Sequence, residues 1–271
     1  GPWGGERYPS STEKGEPALS STLEFADRTA LVTGASKRLG RETALALAHR
    51  GVDLAVHYRS SRDPAETLCA EIEERGGRAF PVQADLGEPS EVMRLFEEAW
   101  EGLGGMDFLV NNASIFPAGR LDDVELKHVQ ENLRVNAWAP FLLTRALWRR
   151  LRGTGRRASV VNLLDTRLVG GDLAHAAYHL SKATLGELTS LTALEFAPDL
   201  QVNGVAPGAV MPPEGLDEDY LDGLTADLPL QRRGYPGDIA DATLYLLGAT
   251  FVTGQVIFVD GGRHIRLGGA T

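Results

Sequence analysis

Tyr178 and Lys182 stand four residues apart in a stretch, Ala176–Glu195, that reads as a helix. Residues at that spacing share one helix face. An ammonium beside a phenol favours the phenolate, which predicts a lowered Tyr178 pKa and a better proton donor near neutral pH. A second group with chemical potential lies near the start. The apolar run Thr29–Thr33 opens into Gly34-Ala35-Ser36-Lys37-Arg38-Leu39-Gly40, and a helical pattern follows. Gly34 permits a tight turn, Gly40 permits close helix–strand packing, and backbone N–H groups at the helix start can hold a pyrophosphate. The end of the next apolar run indicates which dinucleotide. Where a reader of a ribose 2′-OH carries Asp or Glu, this chain has His57-Tyr58-Arg59-Ser60-Ser61. No carboxylate there repels a 2′-phosphate, Arg59 can hold one bidentately, Arg38 can reach the same region, and two serines add donors. The expected cofactor is NADPH.

These residues need a frame. Short apolar runs recur at Thr29–Thr33, Leu54–His57, Ala79–Val82, Phe108–Val110, Ser159–Leu163, Gln201–Val205 and Val256–Val259. Several are continuously apolar, as strands buried on both faces are. Helical patterns alternate with them, at Arg41–Arg50, Ala65–Arg75, Ser90–Trp100, Leu126–Arg152, Ala176–Glu195 and Gly237–Leu247. The alternation predicts a single-domain α/β fold, Rossmann-like and doubly wound: about seven parallel strands with helices on both faces. Residues 24–271 form that domain. Residues 1–23, rich in Gly, Pro, Ser and Glu and beginning Gly-Pro, read as a mobile tail outside the functional argument. The stretch 209–234, rich in Pro, Gly and Asp, reads as a long substrate loop, with Met211, Pro212 and Leu216 as candidate contacts.

Composition narrows the function. A net charge of −10 argues against a nucleic-acid binder and against docking on an anionic membrane, since both need surplus Lys and Arg. The single cysteine, Cys69, excludes an internal disulfide and fits a reducing compartment. No run is long and apolar enough to span a bilayer, and no secretion signal is visible, so the expected setting is the cytoplasm. His175 and His179 flank Tyr178 without the carboxylate or Cys partners of a metal site. Six arginines within 145–157 read as a solvated helix end, and Tyr58 and Trp138 as packing.

The motifs together resemble the short-chain dehydrogenase/reductase family over about Ala30 to Gly262. They are the glycine loop Thr33–Gly40, Asp85-Leu86, Asn111-Asn112-Ala113, Asn136, Tyr178-xxx-Lys182 and Pro207-Gly208. The resemblance implies that Asp85 and Leu86 contact the adenine side and that Asn112 and Ala113 line the cofactor groove. It also implies that Lys182 binds the nicotinamide ribose, that Asn136 orients Lys182 through water, and that the protein is a homotetramer.

Three departures refine the resemblance. Arg38 replaces a usual glycine, Ser114 follows Asn-Asn-Ala where glycine is usual, and Asp165 occupies the place of the family's serine, thirteen residues before the tyrosine. A serine hydroxyl donates to a carbonyl oxygen that becomes anionic, whereas an ionised Asp cannot donate and repels that oxygen. A carboxyl suits a ring nitrogen that gains a proton. The set resembles the pteridine reductase branch, which carries Lys-Arg-Leu-Gly in its glycine loop, Asn-Ala-Ser with an aromatic close behind, and an Asp, Tyr and Lys trio. That likeness implies a catalytic set of Asp165, Tyr178, Lys182 and Asn136, with Arg38, Ser114, Phe116, Asp165 and Tyr178 facing a pterin and Phe116 stacking on it. The substrate expectation is a pterin or folate-like small molecule. The alternatives are a keto-acyl or sugar carbonyl reductase and a non-catalytic NADPH-sensing scaffold.

Overall fold

The computed structural model describes residues 25–212, 218–226 and 228–268. Its centre is a seven-stranded sheet: β1 (Thr29–Val32), β2 (Asp53–Tyr58), β3 (Ala79–Gln83), β4 (Phe108–Asn111), β5 (Ala158–Leu163), β6 (Leu200–Pro207) and β7 (Val256–Val259). The strands are all parallel, in the order β3-β2-β1-β4-β5-β6-β7. The expected fold class is the observed one. The continuous apolar strands are explained by burial on both faces. Along β1, Ala30 and Val32 enter one apolar core while Leu31 enters the other, as the two-residue period of a strand requires.

Helices cover each face. The first core is closed by α1 (Arg38–Ala48), α2 (Arg62–Glu74) and α8 (Pro236–Gly248). The second is closed by α3 (Pro89–Leu103), α5 (Ala139–Leu151) and part of α6 (Ala176–Glu195). Between β1 and β4 the strand order reverses. Loops leaving the carboxyl ends of those two strands turn to opposite faces and leave a crevice, which is where open α/β sheets bind ligands. Among the described residues, no helix is long and apolar enough to cross a membrane.

Three features differ from the sequence expectation. The pattern at 126–152 is two helices, α4 (Leu126–Leu133) and α5, joined by a π-helical turn at Arg134–Trp138. Stretch 209–234 is not wholly irregular, since α7 (Glu218–Thr225) lies within it. The arginine cluster is more than solvated: Arg145, Arg150 and Arg152 lie 5.0, 5.5 and 5.2 Å from the ring centres of Phe141, Trp100 and Trp148, so their guanidinium planes cover aromatic surface. Trp138 meets Phe141 edge-on but stays exposed.

The π-helical turn has a visible partner. It carries Asn136, fully buried. Asn136 Nδ2 donates to Ile115 O at 3.0 Å and its Oδ1 accepts from Ile115 N at 2.9 Å. Nδ2 also reaches Ser181 Oγ at 2.9 Å. The extra residue in the turn thus aims an amide at the loop after β4 and at α6 together, a use π-bulges commonly have. Asn136→Ala would leave both Ile115 backbone groups without these bonds. We expect a loss of roughly 2–4 kcal/mol in urea unfolding, since each orphaned buried group costs about 1–3 kcal/mol.

Candidate active site

The glycine turn after β1 is shaped by contacts that leave no room for side chains. Gly34 has φ +62°. A Cβ on Gly40 would collide with the carbonyl oxygen of Gly34 and lie 2.5 Å from Asn112 Nδ2. Asn112 Nδ2 donates to Thr33 O and Gly34 O at 2.8 and 3.1 Å, and Thr33 Oγ1 accepts from the N–H groups of Asn112 and Ala113. So the loops after β1 and β4 are laced together at the switch point. Arg38, where the family has glycine, adopts φ +55°, a left-handed conformation that costs about 1–2 kcal/mol. Its Nη2 donates to Pro212 O at 2.7 Å, joining the glycine loop to the segment after β6.

A cleft of about 430 Å³ runs along these loops. Gly34, Ser36, Lys37, Arg38, Leu39 and Gly40 line one side; Tyr58, Arg59, Asp85 and Leu86 line the far end; Asn112, Ala113, Ser114 and Gly208 line the other side. The cradle fits a dinucleotide. Its glycines let backbone approach a ligand, and the end of β2 presents Arg59 and no carboxylate. Ser60 and Ser61 stand beside Arg59 without lining the cleft. His57 lines it but is nearly buried and already engaged. Its Nδ1 accepts from Gly34 N–H at 2.9 Å, and its Nε2 lies 3.1 Å from Ala84 O. This pairing requires the neutral ring with hydrogen on Nε2, so His57 braces the glycine turn.

A second cavity, of about 250 Å³, adjoins the first and shares Arg38, Ser114, Gly208 and Met211 with it. Asp165, Tyr178, Phe116 and Pro207 also line it. Asp165 follows β5 and begins a short 3-10 turn at Thr166–Leu168. Its Oδ1 accepts from Arg167 N at 2.7 Å, a cap for that turn. Its Oδ2 accepts the Tyr178 hydroxyl at 2.8 Å. The phenol and the carboxylate are therefore one hydrogen-bonded unit.

Lys182 does not act on Tyr178 as the spacing predicted. Its Nζ donates to Leu163 O at 2.6 Å and sits 5.8 Å from the centre of the Tyr178 ring. Buried beside it, Lys182 is pulled down to about 8, the nearby Asp165 charge opposing that shift. The Tyr178 pKa is raised well above its ordinary value: burial comes first, then the charge and the hydrogen bond of Asp165. The expectation of a lowered Tyr178 pKa is corrected on this ground. Lys182 and Asn136 line neither cavity. Among the described residues, Asn136 approaches the pair through Ser181, whose Oγ donates to Tyr178 O at 2.6 Å.

Phe116 is half-exposed and does not stand alone. Its ring stacks on His175 at 3.9 Å between centres and meets Tyr178 edge-on at 4.5 Å. Arg167 lies 5.0 Å from its centre. Arg167 Nη1 is 3.8 Å from Asp165 Oδ2 and 3.2 Å from Asp172 Oδ2, and His175 Nδ1 is 2.9 Å from Asp172 Oδ2. For Asp172, burial alone would raise the pKa. The Ala174 N–H, Arg167 and His175 outweigh it and hold the carboxyl below the usual range. Sequence reasoning missed Arg167 and Asp172 and read His175 as bland. The available signal was local: Arg167 two residues past Asp165, and an Asp three residues before a His. No metal-ligand cluster occurs among the described residues. Leu216 lies outside the described residues, as do residues 1–23.

Residues 34–264 match the model of a family described as enoyl-(acyl carrier protein) reductase. Versicolorin reductase of Emericella nidulans is 34% identical over 260 residues, covering 90% of this chain and 98% of that protein. The 3-oxoacyl-[acyl-carrier-protein] reductase of Staphylococcus epidermidis is 34% identical over 88% of this chain and its whole length, 100%. Among solved structures, the FolM alternative dihydrofolate reductase 1 of Brucella canis, complexed with NADP, superimposes with a TM-score of 0.85 at 30% identity, covering 90% of this chain and 96% of that one.

The His57 brace has a pH signature. Burial lowers its pKa from 6.5 to about 4, with the Ala84 bond and the Asp85 charge opposing. The folded value lies below the unfolded one, so the stability is complete above about pH 6.5 and is lost as pH falls toward 4. We expect this site to cost about 2 kcal/mol between pH 7.5 and pH 5 in urea unfolding. His57→Gln should flatten that part of the curve; an equally steep curve would remove His57 as its origin.

Proposed function

The chain belongs to the short-chain dehydrogenase/reductase family, and we propose that it reduces a pterin or folate-like ring with NADPH. NADPH, when bound, supplies hydride. The residues that would hold it are those of the glycine loop, Gly34, Ser36, Lys37, Arg38, Leu39 and Gly40, with Tyr58, Arg59, Ser60 and Ser61 for the 2′-phosphate. Asp85 and Leu86 would take the adenine side, Asn112, Ala113, Ser114, Pro207 and Gly208 the groove, and Lys182 the ribose. His57 would act through Gly34. The NADP complex of the Brucella protein supports this cofactor.

One observation carries the choice of substrate: Asp165 Oδ2 lies 2.8 Å from the Tyr178 hydroxyl, within the cavity that both line. That carboxylate puts negative charge where a carbonyl oxygen would become anionic, which opposes ketone reduction. A ring C=N asks for the reverse. Its carbon takes hydride, its nitrogen takes a proton, and the double bond becomes CH–NH. Tyr178 holds the proton, and Asp165 relays it when neutral or retains the protonated nitrogen when charged. Phe116 offers the ring an apolar wall. Asn136 would orient Lys182 through water. The likeness to a dihydrofolate reductase at 30% identity supports the reading. The homotetramer and the cytoplasmic setting belong to the same proposal, by family likeness.

A second reading, reduction of a keto-acyl or sugar carbonyl with Asp165 tolerated, is favoured by the relatives at 34% identity. Loss of NADPH absorbance with dihydrobiopterin, dihydrofolate and a simple ketone separates the two. Turnover of the ketone alone would overturn the pterin reading. Cofactor binding with no turnover on the whole panel would favour a scaffold instead. Asp165→Ser should abolish pterin reduction; a gain on ketones would instead mark the second reading. Tyr178→Phe should reduce the rate by about 10²–10⁴, the scale of a general acid, and an unchanged rate would remove Tyr178 from the chemistry.

A further inference from the structure

Three arginines, Arg38, Arg167 and Arg263, line the 250 Å³ cavity that Asp165 and Tyr178 also line. Two are committed within the protein. Arg38 donates to Pro212 O, and Arg167 pairs with Asp172 and Asp165. The third is different. Arg263 is half-buried, and among the described residues its side chain makes no ion pair and no hydrogen bond. A cation left half-buried and unpaired in a chain of net charge −10 is unusual, because partners of opposite sign are abundant.

The surrounding turn explains why no internal partner reaches it. Asp260, with a nearly inaccessible carboxylate, is the closest acid in sequence, and its oxygens are already taken. It accepts from Gly262 N at 3.0 Å, from His264 N at 2.8 Å, from the His264 ring at 2.9 Å, and from Thr166 Oγ1. Burial would raise its pKa, and the bonds from Thr166 and His264 outweigh that and hold it below the usual range. The N–H groups on either side of Arg263 are thus anchored to one saturated carboxylate. Gly262, at φ +88°, leaves no room there for a side chain against Pro229. The backbone under Arg263 is fixed, and its head is left for something else.

We propose that Arg263 receives a carboxylate carried on a side arm of the substrate, so that the site favours a pterin-type ring bearing an acidic arm over one with a neutral arm. This rests on the ring reading given above. One free guanidinium matches one carboxylate, which it can grip through two parallel bonds. The geometry also gives the contact a purpose. Thr166, bonded to Asp260, directly follows Asp165. An arm docked on Arg263 is therefore referenced, through one buried carboxylate, to the turn that carries Asp165.

The test measures dissociation constants on the enzyme loaded with NADP+, which carries no hydride to transfer, for dihydrofolate, for its neutral dimethyl ester, and for p-aminobenzoylglutamate, which is the acidic arm without the ring. The wild type should bind dihydrofolate roughly 10- to 100-fold more tightly than the ester, the scale of one charge-assisted pair. Arg263→Gln should erase that difference and abolish binding of the free arm. It should leave ester binding, NADPH affinity and the thermal midpoint unchanged, whereas Arg263→Lys should keep part of the preference. Equal affinity of acid and ester in the wild type would overturn the proposal. So would an equal loss of both in Arg263→Gln, a matching loss of NADPH affinity, or no binding of either dihydrofolate or the arm. If dihydrobiopterin is not reduced while the free arm still binds through Arg263, the ring reading falls and the docking role stands.

Discussion

The carboxylate of Asp165 divides its two oxygens between the backbone and the phenol, and the chemistry of the crevice follows from that division. One oxygen caps the turn after β5 and so fixes the side chain; the other accepts a hydrogen bond from the Tyr178 hydroxyl. A group held by its own turn loses little further freedom when a substrate arrives. It also imposes its charge on its neighbours: Tyr178 keeps its proton more firmly and Arg167 is drawn alongside. Where a hydroxyl would offer a hydrogen, this site offers an acceptor.

Around that pair the crevice is a product of sheet topology. The β1 and β4 loops meet at the reversal of strand order, and Thr33 and Asn112 bind them to each other through side chain–backbone bonds. Related reductases at 34% identity carry the same frame over nearly their whole length, although their names point to different substrates. The substrate reading for this chain therefore rests on side chains that line the second cavity on that frame: Asp165, Phe116, Arg38 and Arg263.

Much of the frame was legible because it is local. Continuous apolar runs such as Ala30-Leu31-Val32 declare strands buried on both faces, and Gly34 and Gly40 declare a turn that meets a helix. The failures share a cause, which is that the deciding partner is distant in the chain. The π-helical turn at Arg134–Trp138 answers to Ile115, and nothing in the helical period announces it. The Tyr178 pKa was misjudged because the four-residue spacing counts only Lys182. Lys182 instead donates a hydrogen bond to Leu163 O, while Asp165, thirteen residues away, sets the phenol. His57, near the end of β2, reads from the sequence as a cofactor contact; it lines the cleft, and the bonds of its ring to Gly34 and Ala84 were not legible there. The helix within 209–234 was obscured by the Pro, Gly and Asp around it.

Asp260 sits at the end of β7, ninety-four positions beyond the Thr166 hydroxyl that it holds. The turn carrying Asp165 is thus closed from the end of β7, the last strand in chain order among the described residues. A nascent chain could assemble strands β1 to β5 and still lack a finished turn at Asp165, since its clamp has not yet been translated. That turn is fastened only when β7 docks against β6, and a product cut short before β7 would retain much of the core with the turn unfastened.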